Sequence, residues 1–270
     1  KQLLFFFFPI LIGSFFQQLY NTVDTIIVGQ AVGTSALAAV GSTGNLTSLI
    51  VNFYVGLSTG ASVVIAQYYG AQNNKKIHQA VHTSYSLAIV SGILMMLFGL
   101  FFSYQCLDAI GTPHDILNDA TLYMQLYFLC MIPGAIYNIG AGILRAVGDS
   151  KRPLYYLIVC SIVNVVFDYI FVVIFHQGIA GAAIATVIAQ FVCAILVTIQ
   201  LMRTNEVYKL TLSKMKFHLP VLKKIIMIGA PAGIQSTMYS ISNIVLQSHI
   251  NAFGTQTIAS WSVYVKIDAL

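Results

Sequence analysis

Residues 181–202 read GAAIATVIAQFVCAILVTIQLM, 22 residues in a row without a charge, closed by Arg203. At about 1.5 Å per residue, a helix of that length crosses the roughly 30 Å hydrocarbon core of a bilayer. Neither this run nor 97–102 alternates polar with apolar residues. That removes the closed β-barrel and leaves helices as the spanning solution. Working outward, apolar runs bounded by Gly, Pro and charged clusters recur at 3–29, 37–69, 77–104, 120–146, 153–175 and 225–253, and an eighth begins near Thr257. The run 37–69 is rich in Gly, Ser, Thr and Asn, which predicts a span facing a polar interior.

The composition agrees. Only 8% of the 270 residues are charged and 58% are hydrophobic, with a mean hydropathy of +0.82. Soluble domains carry roughly 25% charged residues, so a water-soluble body is excluded, and so is a disordered chain. The net charge of +5 is no nucleic-acid signal, because its location explains it. Lys1, Lys75, Lys76, Arg145, Lys151, Arg152, Arg203, Lys209, Lys214, Lys216, Lys223 and Lys224 all fall at one end of the predicted spans; Lys266 is the exception. By the positive-inside rule that end is cytoplasmic, and so is the amino terminus, which argues against a seven-helix receptor. No signal peptide is recognisable. Starting at Lys1 and ending inside an apolar segment, the chain reads as a fragment.

The sequence also repeats itself. Lys1, Pro9, Ser14, Asn21 and Val23 find Lys223, Pro231, Ser236, Asn243 and Val245; after one gap Gly33, Thr34 and Ala38 find Gly254, Thr255 and Ala259. Six spans separate the copies, and an even number preserves orientation, so the repeat is parallel with its pseudo-twofold along the membrane normal. The expected organisation is an all-α membrane protein. A six-helix amino-terminal lobe occupies 1–203, a basic cytoplasmic linker 204–224, and the first one to two helices of a second lobe 225–270.

Two of the eight acidic residues lie within spans. An Asp at mid-bilayer costs about 2.5–3.5 kcal/mol on insertion scales and marks an ion or proton path. Asp24 lies near the outer end of span 1. Asp168 lies one helical turn after Asn164 in span 5, so both project from one face. Thr186 reaches a similar depth in span 6. Two carboxylates with amide and hydroxyl oxygens suit a hard cation; they can equally share a proton. Interhelical hydrogen bonding is the plainer reading for Asn164 and Thr186. For the aspartates it is weaker, because the first six spans hold no base to neutralise them.

Other features read as structure. His78 and His82 have the i, i+4 spacing of metal ligands but lack a third ligand nearby. Gly29/Gly33, Gly56/Gly60 and Gly229/Gly233 have GxxxG spacing, which means close packing or hinges. Cys106, Cys130, Cys160 and Cys193 contain no CxxC pair and read as small packing residues. The run Phe5–Phe8 reads as a lipid-facing anchor. Tyr20, Tyr54 and Tyr137 could offer ring faces to a cationic substrate, though an aromatic belt or core explains each as well. No Walker A, HExxH or GxSxG pattern occurs, so neither ATP-driven transport nor an enzyme is supported.

Several stretches resemble one family. Pro9, the run Asn21-Thr-Val-Asp24-Thr-Ile-Ile-Val-Gly29 and then Ala36-Leu-Ala-Ala39-Val are similar to the first-helix signature of multidrug and toxic compound extrusion (MATE) transporters. Ala66-Gln-Tyr-Tyr-Gly70-Ala-Gln-Asn resembles the end of that family's helix 2, and Leu144-Arg-Ala-Val-Gly148-Asp-Ser-Lys-Arg-Pro153 its helix 4–5 loop. The resemblance implies a twelve-helix, two-lobed antiporter, a monomer in a bacterial plasma membrane. It would export organic cations or amphipathic compounds in exchange for Na+ or H+, with no other cofactor. In the family's sodium- and proton-linked bacterial branch the cation site would comprise Asp24, Asn138, Asn164, Asp168 and Thr186, with a hinge at Pro9. Neutral oxygen donors favour Na+, at Asp24, Asn164, Asp168 and Thr186, over H+. By residue counting Asn138 lies too near the inner end of its span, unless Pro133-Gly134 breaks that helix. The repeat aligns Asp24 with Leu246, which confines the ion site to the first lobe. The nearest alternative is a lipid-linked oligosaccharide flippase of the same superfamily, which would need basic residues deep in its cavity; a channel or receptor-like protein is the alternative of another class.

Overall fold

The structure, a computed structural model, describes the backbone of residues 2–268 and the side chains in that range apart from those of residues 2–6, Tyr20, Tyr239 and residues 266–268. The expectations placed on Lys1, Tyr20 and Lys266, and on Phe5 and Phe6, lie outside the described side chains. Among the described residues there are nine α-helices: α1 (Gln2–Ala31), α2 (Thr34–Gly70), α3 (Asn74–Ala109), α4 (His114–Phe128), α5 (Met131–Ala146), α6 (Lys151–Asp168), α7 (Gly178–Arg203), α8 (Leu219–Asn251) and α9 (Thr255–Asp268). A π-helical segment, Tyr169–Ile174, extends α6, and a single 3₁₀ turn, Leu212–Lys214, lies between α7 and α8. By length and composition α2, α3, α7 and α6 with its π extension can each cross a membrane, and the bent pair α4–α5 is long and apolar enough for a fifth when counted as one span. The outward faces carry the apolar side chains that lipid requires, including Leu94, Phe101 and Ile162.

The expected span 120–146 starts earlier, at His114, and is two helices bent by 46°. Pro133 explains where it breaks. It has no N–H for the Leu129 carbonyl, and its ring crowds that carbonyl, so the helix yields four residues upstream. The N–H groups of Leu129 and Cys130 fall back on the carbonyls of Leu126 and Tyr127, at 3.1 and 2.9 Å. Pro9 and Pro231 behave differently: α1 and α8 each continue through their proline as one helix. The repeated Gly-Thr pairs are two copies of one turn. Gly33 and Gly254 take φ of +111° and +87°, and α2 and α9 begin at the Thr that follows. Gly33 therefore serves a turn and not a packing stripe; no atom lies within 4 Å of where its Cβ would be.

The other two GxxxG pairs face each other. A Cβ on Gly56 would overlap the Cα and N of Gly233, and one on Gly60 would sit 2.6 Å from the Cα of Gly229. Thus α2 and α8 cross backbone to backbone. Toward the other end of the same contact the helices exchange amides. Asn52 Nδ2 donates to Ser240 Oγ at 2.9 Å, and Asn45 Nδ2 to Gln247 Oε1 at 3.3 Å. Gln247 Nε2 in turn donates to Asn251 Oδ1 at 2.8 Å, and Asn251 Nδ2 to the Ile110 carbonyl at 3.0 Å.

The segment joining α7 to α8 is latched to the start of α3. His82, fully buried, accepts the Thr211 N–H on Nε2 at 3.0 Å, while its Nδ1 lies 2.7 Å from the His78 carbonyl oxygen and must donate there. Next to it, Thr83 Oγ1 accepts the His218 N–H at 3.2 Å. The i, i+4 histidines are therefore a stacked pair, 3.9 Å between ring centroids, that holds a loop. Replacing His82 by Ala should leave the Thr211 N–H buried without an acceptor, at about 1–3 kcal/mol. The expected result is faster hydrogen exchange at the Thr211 and His218 amides, with the α5 and α7 amides unchanged.

Candidate functional site

Asp24, Asn164, Asp168 and Thr186 converge from α1, α6 and α7. Asn164, Asp168 and Thr186 are 1%, 0% and 9% exposed, far below what water would hydrate. Asn164 Nδ2 donates to Thr186 Oγ1 at 3.4 Å, and Thr186 donates to the Ala182 carbonyl at 3.1 Å. The carboxyl of Asp168 faces that of Asp24. Two ionised carboxylates are both acceptors and repel each other, so a proton or a cation between them relieves the pair. Among the described residues, no N–H or O–H donates to either oxygen of Asp168 or to Oδ1 of Asn164. The cluster is thus rich in acceptor oxygen and poor in donors. Chemically it can take up a proton or a hard cation.

Two features around it were not legible beforehand. The π-helical segment begins at the residue after Asp168, with the Phe175 N–H bonding the Ile170 carbonyl at 2.9 Å. Such segments underwind a helix and recur at functional sites. Tyr123 and Tyr127, one turn apart on α4 with ring centroids 6.2 Å apart, both lie within electrostatic range of Asp24, and Tyr123 of Asp168 also. Leu246, the repeat's counterpart of Asp24, is 45% exposed on α8.

A cavity of about 400 Å³ lies to one side, between α1, α2, α5, α6 and α7. Gln17, Asn21, Asn52 and Gln190 give it a neutral polar wall, with Tyr137, Asn138 and Arg145 on α5. Pro9 lines it too. The four converging residues do not. Asn138 is therefore set apart from them. Its Nδ2 donates to the Gly134 carbonyl at 2.9 Å, one turn back, and among the described residues no hydrogen bond joins it to Asn164, Asp168 or Thr186. Of the tyrosines singled out for ring faces, Tyr137 lines the cavity and Tyr54 does not. On α2 the cavity takes Ser48, Val51, Asn52 and Val55, one helical face; Tyr54 sits round from it, buried toward Ser91 of α3. The cavity carries one formal charge among these residues, the Arg145 guanidinium, which sequence reading puts at the basic end of its span.

The MatE family model matches residues 9–170. Over 97% of its length the chain is 28% identical to the probable multidrug resistance protein YoeA of Bacillus subtilis, covering 58% of that protein. It is 22% identical over 99% of its length to the multidrug export protein MepA of Staphylococcus aureus, again covering 59% of the relative. The chain therefore spans somewhat over half the length of these curated relatives. Among solved structures, an inward-facing MATE family transporter of the MOP superfamily superposes with a TM-score of 0.86 at 27% identity, over 93% of this chain and 57% of that one. With the family match covering more than half of an all-helical membrane bundle, the chain belongs to the MatE family of multidrug and toxic compound extrusion transporters and is not an enzyme.

Proposed function

We propose that this chain forms the ion-binding part of a secondary active exporter, which moves organic cations or other amphipathic compounds outward in exchange for Na+ or H+. The observation that carries the reading is the fully buried Asp168 facing Asp24 beside Asn164 and Thr186, with no donor to either Asp168 oxygen among the described residues. On this reading residues 1–203 are one lobe, 204–224 the linker and 225–270 the start of a second lobe that rocks against the first. The basic end faces the cytoplasm of a bacterial cell. Cation uptake from outside neutralises the pair and shifts α1, in which Pro9 leaves one hydrogen bond unmade. Bound substrate then leaves outward. Asn138 stands on the cavity side of the ion site, where the bend before Pro133 puts it, and Tyr137 offers its ring to substrate. Three unpartnered acceptor oxygens favour Na+, since a proton needs only one.

The reading is tested by efflux of a fluorescent organic cation from vesicles containing the full-length protein, with sodium and pH gradients imposed separately. One of the two gradients is expected to drive efflux. Efflux that ignores both would overturn the coupling. Arg145 favours a second reading, an exporter of a lipid-linked phosphate compound, because its guanidinium lines the cavity. The absence of a second cation in that wall among the described residues leaves this reading behind the first.

A further inference from the structure

We propose that Cys160 and Cys193 form a dithiol site on the cavity wall that captures aryl arsenoxides, trivalent compounds of the form R–As=O. The two cysteines lie where α6 and α7 cross, and each thiol reaches over to the other helix. Cys160 S–H donates to the Ala189 carbonyl at 3.1 Å, and Cys193 S–H to the Tyr156 carbonyl at 3.5 Å. Ala189 precedes Cys193 by one turn, and Tyr156 precedes Cys160 by one turn. This reciprocal exchange packs Cys160 and Cys193 with Ala189 into one buried cluster. Both side chains line the cavity, although they are only 2% and 0% exposed. Read along the sequence they are 33 positions apart and look unrelated; the fold makes them neighbours.

The ligand class follows from the surroundings. Among the described residues no three His, Cys, Asp or Glu side chains are placed to hold a metal ion, so the chemistry is that of a pair. A low-dielectric wall penalises bringing in a charge, which disfavours a bare soft cation. An arsenoxide avoids that cost. Two As–S bonds form, the As=O bond is lost, and both thiol protons leave with that oxygen as one water. Arsenic stays trivalent and the adduct is neutral. Tyr137 and Tyr156 pack against the cysteine cluster, so an aryl substituent meets ring surface on arrival. Cys160, Asn164 and Asp168 also form a single i, i+4, i+8 stripe on α6. The adduct therefore tethers α6 to α7 one turn from Asn164.

The test is intact-mass analysis of the full-length protein treated with phenylarsine oxide, washed with excess monothiol and then with a dithiol. Wild type is expected to keep one phenylarsenic group, less two hydrogens, through the monothiol wash and to lose it to the dithiol. C160S and C193S should each retain at least about tenfold less, since a single As–S bond exchanges freely. Serine keeps the donor to the facing carbonyl, so these variants fold alike; C106S should match wild type. The proposal is overturned by the absence of a monothiol-resistant adduct on wild type, or by its survival in C160S or C193S. Because the readout is mass, it is independent of whether the protein exports its substrates by ion exchange.

Discussion

Asp168→Asn in the full-length transporter is expected to reduce gradient-driven efflux to background while leaving thermal stability unchanged or higher. The two outcomes point in opposite directions, which makes the result informative. Asp168 is fully buried, faces a second acid, and receives no donor among the described residues. A carboxylate in that position costs about 2.5–3.5 kcal/mol on insertion scales. Asparagine has nearly the same shape without the charge, and its NH2 can donate to Asp24. If the acid held the fold together, as a buried ion pair does, its loss would destabilise the protein by roughly 3–5 kcal/mol. If it serves the coupling ion, function is lost and the fold is kept. Allosteric couplings between sites are typically about 1–3 kcal/mol, or 5- to 150-fold, so a drop of at least about tenfold in the coupled rate is expected. Asp24→Asn should behave the same way, and the double variant should be no worse than either single one, because the pair acts as a unit. Efflux kept above half of wild type by Asp168→Asn, or a marked fall in melting temperature, would remove Asp168 from the mechanism.

Gly56→Leu is expected to separate α2 from α8, with loss of folded protein. At many glycines an added methyl meets open space or a side chain that can turn away, as at Gly13, Gly29 and Gly44. Here it meets the Cα and N of Gly233, and at Gly60 the Cα of Gly229 and the carbonyl of Ile225. Backbone cannot turn away, so the helices must part. Overpacking typically costs about 1–3 kcal/mol, and a backbone collision in a helix crossing belongs at or above the top of that range. Gly44→Ala on the same helix is the control, because nothing lies within 4 Å of its Cβ position. The expected readout is a sharp fall in the monodisperse fraction and melting temperature for Gly56→Leu, a smaller fall for Gly60→Ala, and no change for Gly44→Ala. Equal behaviour of Gly44→Ala and Gly60→Ala would show that the crossing is looser than described.

The long apolar spans and the shared face of Asn164 and Asp168 are readable from the sequence because each follows from a local rule. Uncharged runs set the spans, Lys and Arg set the ends, and an i, i+4 spacing put Asn164 and Asp168 on one face. What escaped depends on contacts between distant segments. Gly56/Gly60 and Gly229/Gly233 were each visible as small-residue pairs, but nothing local says that one meets the other. Cys160 and Cys193 show no spacing motif because their proximity arises from a crossing. Tyr123 and Tyr127 sit on the part of α4 that reading the span from Ala120 treated as plain lipid-crossing helix. Pro133 was visible as a breaker, yet the displacement of the break to Leu129 follows only when its missing N–H is traced to the carbonyl that loses it. Helical phase decides between the two readings of Tyr54: Asn52 and Val55 line the cavity, while Tyr54 is buried in the core.

The glycine crossing also has a consequence for biosynthesis. Gly56 and Gly60 leave the ribosome about 170 residues before Gly229 and Gly233, and at roughly 5–20 residues per second that is a delay of about 10–30 s. Throughout it the flattest strip of α2 is already in the membrane without the helix it was shaped for. Any other small-faced helix inserted nearby in that interval competes for it, and a ribosome that pauses between α7 and α8 lengthens the exposure.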